Sequence, residues 1–471
     1  MVQVVNKIYG DEKIQEDSKH WSQYLAVISA TIVSIAAGVS IAWPSPSVPR
    51  LLDGELQYPV SREEGSYIAI ISALGNMAAS PISAYLVDII GRKRTITLIS
   101  LPQILSYILI YLSSYSIALL YTARFLGGLG EGATFTVMAM YIGEISEPKI
   151  RGTLGSYISL TLRVGMLLIN VLGSYFTIET TALICLILPA TFLMSFIFMP
   201  ETPYYLLMKN NRSAAEKSLQ FLRQRKNVEQ ELESLQNDVD RQLSESGTFM
   251  DLWRIPSNRK ACIIVIGLRT FQQFSGISAF TLYTQKLFKE AVDTISPSLS
   301  ANIFSLIQLI LTFFSSILVD ITGRKPLLIF SCVSCFFVLT IEAVYFILRD
   351  FTSIEVSSLW WLPLGGMILY IIVFSIGLGS IVNLMIGELF NQSVKAKAMC
   401  LVNIYFAIAM SVTTKFFQFM TDLNGLSVPI LVFGGSCGLG ALFCYYIVPE
   451  TKGRTLEEIQ QLLKGKNERE N

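Results

Sequence analysis

Two adjacent side-chain amides, Gln272 and Gln273, interrupt a stretch otherwise rich in apolar residues. An amide offers donor and acceptor together, and an unpaired polar group in an apolar medium is costly. Such a pair therefore either binds a polar solute or joins one helix to another. Three charges, Glu131, Arg163 and Arg269, stand in comparable surroundings. A charge at the centre of a membrane helix costs roughly 2.5–3.5 kcal/mol on insertion scales, so each needs a partner or water. Glu131 and Arg163 are expected about 16 Å from the inner ends of their helices at 1.5 Å per residue, and so within reach of each other. One reading is a structural ion pair. The other is a proton-linked or anion-selective site, with Arg269 adding positive potential.

A second set of charges gathers at helix ends. Asp88, Arg92, Arg124, Glu144, Arg151 and Glu201 form one expected cluster; Asp320, Arg324, Glu388, Lys395 and Glu450 form the other. Ion pairs among them would hold the two parts of the molecule together in one conformation and break in another. The plainer alternative is ordinary loop charge that sets topology. His20 is the only histidine, and Cys332 and Cys335 lie in an apolar run without a histidine nearby. No metal site, cofactor or disulfide is expected, and no phosphate loop or catalytic triad marks an enzyme or a nucleic-acid partner.

These residues need elements to position them. Of 471 residues, 52% are hydrophobic and 15% charged, against about 25% charged in soluble domains. A span needs about 20 apolar residues. Twelve candidates run over 24–43, 66–88, 95–115, 117–142, 152–177, 180–199, 260–288, 300–321, 326–348, 362–388, 395–421 and 427–448. Met1 to His20 is polar, with no apolar core for a cleavable leader. Basic residues collect after the second, fourth, eighth and tenth segments, at Arg92-Lys93-Arg94, Lys149 and Arg151, Arg324-Lys325, and Lys395 and Lys397. Acids dominate after the first: Asp53, Glu55, Glu63 and Glu64. Basic loops face the cytoplasm, which places both termini there in a multi-pass protein, with the plasma membrane as its expected home. The division is 1–23 as a cytoplasmic lead-in, 24–199 as one bundle and 200–259 as a cytoplasmic linker. Residues 260–448 form the second bundle and 449–471 a tail. Helical stretches are expected in the linker at Ser213–Arg225 and Val228–Leu243. The glycosylation triplets at Asn211 and Asn391 fall on the cytoplasmic side and are expected to stay unmodified.

An internal repeat shows without alignment. Asp88, Gly91, Arg92 and Lys93 close the second segment as Asp320, Gly323, Arg324 and Lys325 close the eighth. Glu144 precedes Arg151 as Glu388 precedes Lys395, and Pro200-Glu-Thr202 ends the sixth segment as Pro449-Glu-Thr451 ends the twelfth. Two repeated six-helix halves with a site between them form an alternating-access architecture.

These marks, with Ala123-Arg-Phe-Leu-Gly127, Gln272-Gln-Phe-Ser-Gly-Ile277 and Pro449-Glu-Thr-Lys-Gly-Arg454, resemble the sugar porter family of the major facilitator superfamily. Pro200-Glu-Thr-Pro-Tyr-Tyr205 and Thr414-Lys415 are similar to its insect facilitated trehalose transporter branch. The resemblance implies an all-α membrane protein of the major facilitator fold, with twelve transmembrane helices in two pseudo-symmetric bundles. It implies facilitative transport of a small neutral sugar, trehalose or a hexose, across a bilayer, a monomer being sufficient. It also implies that Gln272, Gln273, Gln308, Asn170, Ser278 and Asn383 line the sugar site. An organic-anion or proton-linked carrier and a non-transporting sugar sensor remain alternatives. The sequence departs from the family in helix ten, where Gly377-Leu-Gly-Ser-Ile-Val-Asn383 replaces a run of prolines and a tryptophan. It departs again in helix eleven, where Phe406-Ala407 stands for Asn-Trp, and helix one carries Trp43-Pro44 rather than the aspartate of proton-coupled relatives.

Overall fold

The computed structural model describes residues 20–244, 248–291, 296–354, 357–359, 361–390, 392–452, 454 and 456–464. Each apolar segment of the sequence becomes a helix. They are α1 (Trp21–Leu52), α2 (Arg62–Ile90), α3 (Arg92–Tyr111), α4 (Ile117–Ile145), α5 (Arg151–Tyr175) and α6 (Ile178–Phe196) in the first half. The second half holds α7 (Pro256–Gln273, resuming at Ile277–Leu282 and Thr284–Ala291), α8 (Pro297–Thr322) and α9 (Arg324–Phe351). It closes with α10 (Leu362–Ile376, then Ile381–Leu389), α11 (Gln392–Asn424) and α12 (Ser427–Tyr446). Among the described residues, ten helices are long and apolar enough to cross a membrane. The remaining two, α4 and α7, carry Arg124 and Glu131, and Arg269, in their interiors.

Helix ends and breaks follow from local chemistry. Ser61 and Glu64 form a reciprocal capping box at the start of α2. Pro44 begins the second piece of α1, where its missing N–H costs nothing. Gly91 and Gly323 take φ of 98° and 101° just before α3 and α9. That left-handed backbone is open to glycine without steric cost, and it explains why the Gly-Arg-Lys mark recurs.

Packing repeats with a six-helix offset. In the first half α1 lies on α5, α2 and α3 on α4, and α3 on α6. In the second α7 lies on α11, α8 and α9 on α10, and α9 on α12. The halves meet where α2 crosses α11 and α5 crosses α8, which are again equivalent contacts. Large apolar side chains such as Phe198, Phe313, Phe337 and Tyr446 point outward from the bundle. In a membrane protein this is the surface that lipid covers.

Linker helices at Arg212–Arg223 and Glu229–Ser244 match the two helical stretches expected there. Leu207, Ala215, Leu219, Val228, Leu232 and Val239 give the linker a small core of its own. It is tied to the first half by Ser22 Oγ donating to the Leu222 carbonyl at 2.9 Å and Arg223 Nη1 donating to that of Ile145 at 2.9 Å. Asn391 lies outside the described residues.

Candidate functional site

The glutamine pair sits where α7 breaks. Gly276 holds φ at 92°, and a Cβ there would stand 2.4 Å from the Phe433 ring, so the turn that ends the first piece of α7 requires glycine. Gln272, one turn earlier, is buried. Its Nε2 donates to the carbonyl of Leu378 at 2.6 Å, and its Oε1 accepts from Arg269 Nη1 at 2.7 Å. Gln273 Oε1 accepts from Ser278 Oγ at 2.5 Å.

Leu378 belongs to the break in α10. Despite losing every proline of that run, α10 stops at Ile376 and resumes at Ile381. Gly377 lets the break lie against α9, where a Cβ would stand 2.4 Å from the Leu327 carbonyl oxygen, and the Leu378 N–H donates to Ser331 Oγ at 3.2 Å. The carbonyl freed by the break is the one that Gln272 holds. Asn383, on the second piece of α10 and exposed, accepts from Arg269 Nη2 at 2.6 Å. The Arg269 guanidinium lies 5.1 Å from the centroid of the Phe406 ring. Arg269 thus gathers Gln272, Asn383 and Phe406 from three helices.

On the seam between α5 and α8, Asn170 Nδ2 donates to Ser305 Oγ at 3.0 Å while its Oδ1 accepts from Ser45 Oγ at 2.8 Å. Arg163 Nη1 donates to Gln308 Oε1 at 2.9 Å. The expected pairing of Glu131 with Arg163 is therefore corrected. Equal depth does not fix rotation about the helix axis. Arg163 points at the opposite half, whereas Glu131 points into the first half, where Ser40 is its hydrogen-bond partner and one carboxylate oxygen has none.

Arg124 is corrected too. It is not part of a cluster at the helix ends. It lies 20 residues before Glu144 on α4, about 30 Å along the axis. There its guanidinium donates to the carbonyls of Ser40 (2.8 Å) and Ile68 (3.2 Å) and to Ser72 Oγ (3.1 Å), with Trp43 stacked against it.

Of the remaining helix-end charges, Arg92, Glu144 and Glu201 come together in one half and Arg324, Glu388 and Glu450 in the other. Glu144 accepts from Arg92 Nη2 at 3.0 Å and Thr202 Oγ1 at 2.6 Å; Glu388 accepts from Arg324 Nη2 at 3.0 Å and Thr451 Oγ1 at 2.5 Å. Glu201 accepts the backbone N–H groups of Arg92 and Lys93, and Glu450 those of Arg324 and Lys325. Four backbone N–H groups surround the Glu450 carboxylate. Burial alone would raise its pKa, but these donors hold it below the usual carboxylate range. Asp88 is exposed and stands 3.9 Å from Arg92. Arg151 donates to the carbonyl of Ser146, and Lys395 to that of Gly387. The side chain of Asp320 lies outside the described residues. Each ion pair described at this basic end joins helices of one half, not the two halves.

The bonds described between the halves all lie at mid-depth or towards the opposite end. Further along the α5–α8 seam Asn302 reaches Ser174 (3.4 Å), and between α2 and α11 Lys415 reaches Ser66 (2.6 Å) and Gln418 reaches the carbonyl of Arg62 (2.8 Å). Lys289 stands 3.5 Å from Asp53 and Arg62 3.8 Å from Asp422. The halves are thus fastened at the acidic-loop end.

Sequence reading missed Glu342, buried on α9 with no hydrogen-bond partner for either oxygen among the described residues and lodged against Gly366 of α10. The signal was present, since an acid amid apolar residues is the criterion that singled out Glu131. It also missed Gln103, buried with neither amide atom bonded.

Comparison with known proteins places this geometry. The family model described as sugar (and other) transporter matches residues 24–463. Trehalose transporter 1 of Drosophila melanogaster is 33% identical over 451 residues, covering 95% of this chain and 52% of that protein. Facilitated trehalose transporter Tret1 of Anopheles gambiae is also 33% identical, covering 95% and 56%. The chain spans about half the length of the curated relatives it matches. The xylose transporter XylE from E. coli in its inward-open conformation superposes with a TM-score of 0.76 at 21% identity, covering 93% of this chain and 99% of that one. XylE bound to 6-bromo-6-deoxy-D-glucose superposes at 0.74 and 19% identity, covering 94% and 99%. That likeness shows the major facilitator fold.

Proposed function

The chain belongs to the sugar transporter family of the major facilitator superfamily, and from that premise we propose that it is a facilitative sugar carrier working by alternating access. Residues 24–199 and 260–448 are the two moving halves, and 200–259 is the linker beneath them. The observation that carries this reading is the placement of the bonds between the halves. They fasten one end, while the polar side chains Gln272, Gln273, Gln308 and Asn383 sit at mid-depth on or beside the facing helices, with Ser278 and Asn170 nearer the fastened end. A carrier with one gate closed and its site between the halves has this form.

Basic loops set the orientation, so the fastened end is extracellular and the conformation faces inward, with both termini cytoplasmic in a plasma membrane. The symmetric acid–arginine clusters then preserve the shape of each half while it faces inward, and contacts between the clusters would form on closure. Ser40 and Trp43-Pro44 leave α1 without an acid that could couple transport to protons, which favours uniport. Trehalose and hexoses are the solutes to try first. Uptake of labelled trehalose and glucose into proteoliposomes, with and without a pH gradient, tests this. Saturable uptake indifferent to the gradient is expected. Accumulation that collapses with a protonophore would replace uniport by proton coupling.

A further inference from the structure

Arg163 and Lys415, on the seam between the halves, and Arg269, inside the second half, have no acidic partner among the described residues. Arg163 and Arg269 lie at similar depths, about 18 Å and 20 Å from the basic-end starts of their helices at Arg151 and Pro256. Lys415 sits nearer the fastened end, where its ammonium donates to Ser66 Oγ at 2.6 Å and rests 4.5 Å from the Tyr67 ring. Among the described residues, no carboxylate stands within ion-pair distance of any of the three. The two buried acids deep in the bundles point elsewhere: Glu131 against Ser40 inside the first half, Glu342 against Gly366 inside the second.

What the two arginines touch is neutral. Arg163 has the amide oxygen of Gln308 and the sulfur of Met166 at 3.3 Å. Arg269 has the amide oxygens of Gln272 and Asn383 and the face of Phe406, and its Nε has no partner. Three amides suited to a neutral sugar are therefore already turned, oxygen first, towards guanidinium groups. A guanidinium stays charged in any protein setting, and an amide oxygen neutralises none of that charge. An anionic oxygen group would do so, in a fork-to-fork geometry that a hydroxyl cannot offer. Arg269 is buried, while its partner Asn383 is exposed. Arg163 is itself only half-buried.

We infer that Arg269, with Arg163 at similar depth on the seam, recognises an anion, and that the carried solute is a sugar bearing a carboxylate or phosphate group. This rests on the carrier reading and narrows its solute. The amides keep the role of hydroxyl ligands. On entry, the anionic group takes the place of the Gln272 and Asn383 oxygens at Arg269, which frees those amides for the sugar ring.

The test compares glucuronate, glucose 6-phosphate and glucose on the purified full-length chain at matched ionic strength. Thermal stabilisation is measured first, then uptake into proteoliposomes under imposed membrane potentials. Glucuronate or glucose 6-phosphate should stabilise the protein at concentrations about tenfold or more below glucose, as charge-assisted bonds to a guanidinium imply. Whichever of the two does so identifies the group. Arg269→Gln and Arg163→Gln should each erase that preference, and Arg269→Lys should keep part of it. Uptake of the preferred anion should speed up when the vesicle interior is made positive. Equal stabilisation by all three sugars, or a preference unchanged in Arg269→Gln, overturns the anion site. Saturable glucose uptake alongside that result leaves the carrier reading standing. Anion binding in folded protein with no uptake of any sugar overturns the carrier reading and keeps the site.

Discussion

Glu450 Oε1 accepts the backbone N–H of Arg324 at 3.0 Å, and six helices earlier Glu201 Oε1 accepts that of Arg92 at the same distance. In each half a carboxylate after the last helix closes the start of the third. For Glu450 the donors outweigh burial and keep the carboxyl acidic. Its folded pKa lies below the unfolded value of about 4.3. The stabilisation is thus complete above that unfolded value and is lost as pH falls through the folded one. Glu450→Gln should melt a few degrees below wild type at neutral pH, with the gap closing as pH drops below about 4. A gap that stays constant into acid would show that the carboxylate is not what the donors hold.

Arg324 and Glu388 lie 3.0 Å apart within one half, whereas Arg92 and Glu388 belong to different halves. A double-mutant cycle on melting should give a coupling of about 1–3 kcal/mol for the first pair. For Arg92 with Glu388 it should be near zero. Sizeable coupling across the halves would mean that the clusters already bridge them in this conformation.

What could be read from the residues alone was set by one-dimensional quantities. Apolar length located the helices to within a few residues, and the Gly-Arg-Lys marks located their ends. Charge placement located the basic face. Partner choice was harder, because it depends on rotation about each axis. Glu131 and Arg163 share a depth but face different neighbours. Arg124 was grouped by its charge, although its place near the start of α4 puts it towards the other end. The break in α10 outlived its prolines, with Gly377 packed close on α9 and Gln272 taking the freed carbonyl. That bond belongs to tertiary structure and has no mark in the local sequence.

Gln272 serves two groups at once, the Leu378 carbonyl and Nη1 of the Arg269 guanidinium, whose Nη2 is held by Asn383. Gln272→Ala should cost about 1–3 kcal/mol for each buried group left unsatisfied. It should also lower uptake strongly, because the break in α10 loses its tether. Gln273 holds only Ser278 among the described bonds, so Gln273→Ala should melt closer to wild type. Equal melting of the two variants would contradict this assignment.

Gly128 and Gly75 let α4 and α2 touch backbone to backbone. A Cβ at Gly128 would stand 1.9 Å from the Ser72 carbonyl oxygen, and one at Gly75 would stand 2.2 Å from that of Phe125. Small residues allow this approach between membrane helices. Gly128→Ala should destabilise by about 1–3 kcal/mol through overpacking. Gly143→Ala on the same helix, where a Cβ meets nothing within 4 Å, should be neutral. Melting of the two purified variants side by side decides it.

Ser174 Oγ and Asn302 Nδ2 meet at 3.4 Å across the α5–α8 seam at the fastened end. The bonded side chains mark where α5 and α8 come together, and a disulfide there needs Cα atoms about 4.4–6.8 Å apart. The native cysteines are buried, so an oxidant should act chiefly on introduced thiols. In Ser174→Cys/Asn302→Cys, oxidation should clamp this end shut and abolish net uptake, and a reductant should restore it. Solute binding from the basic-loop end should survive the clamp, because the site polar groups lie on that side of the bond. A carrier that moves solute only by opening its two ends in turn cannot transport with one end locked. Undiminished uptake in fully oxidised protein would mean that the α5–α8 seam stays closed throughout the cycle and that the moving gate lies elsewhere.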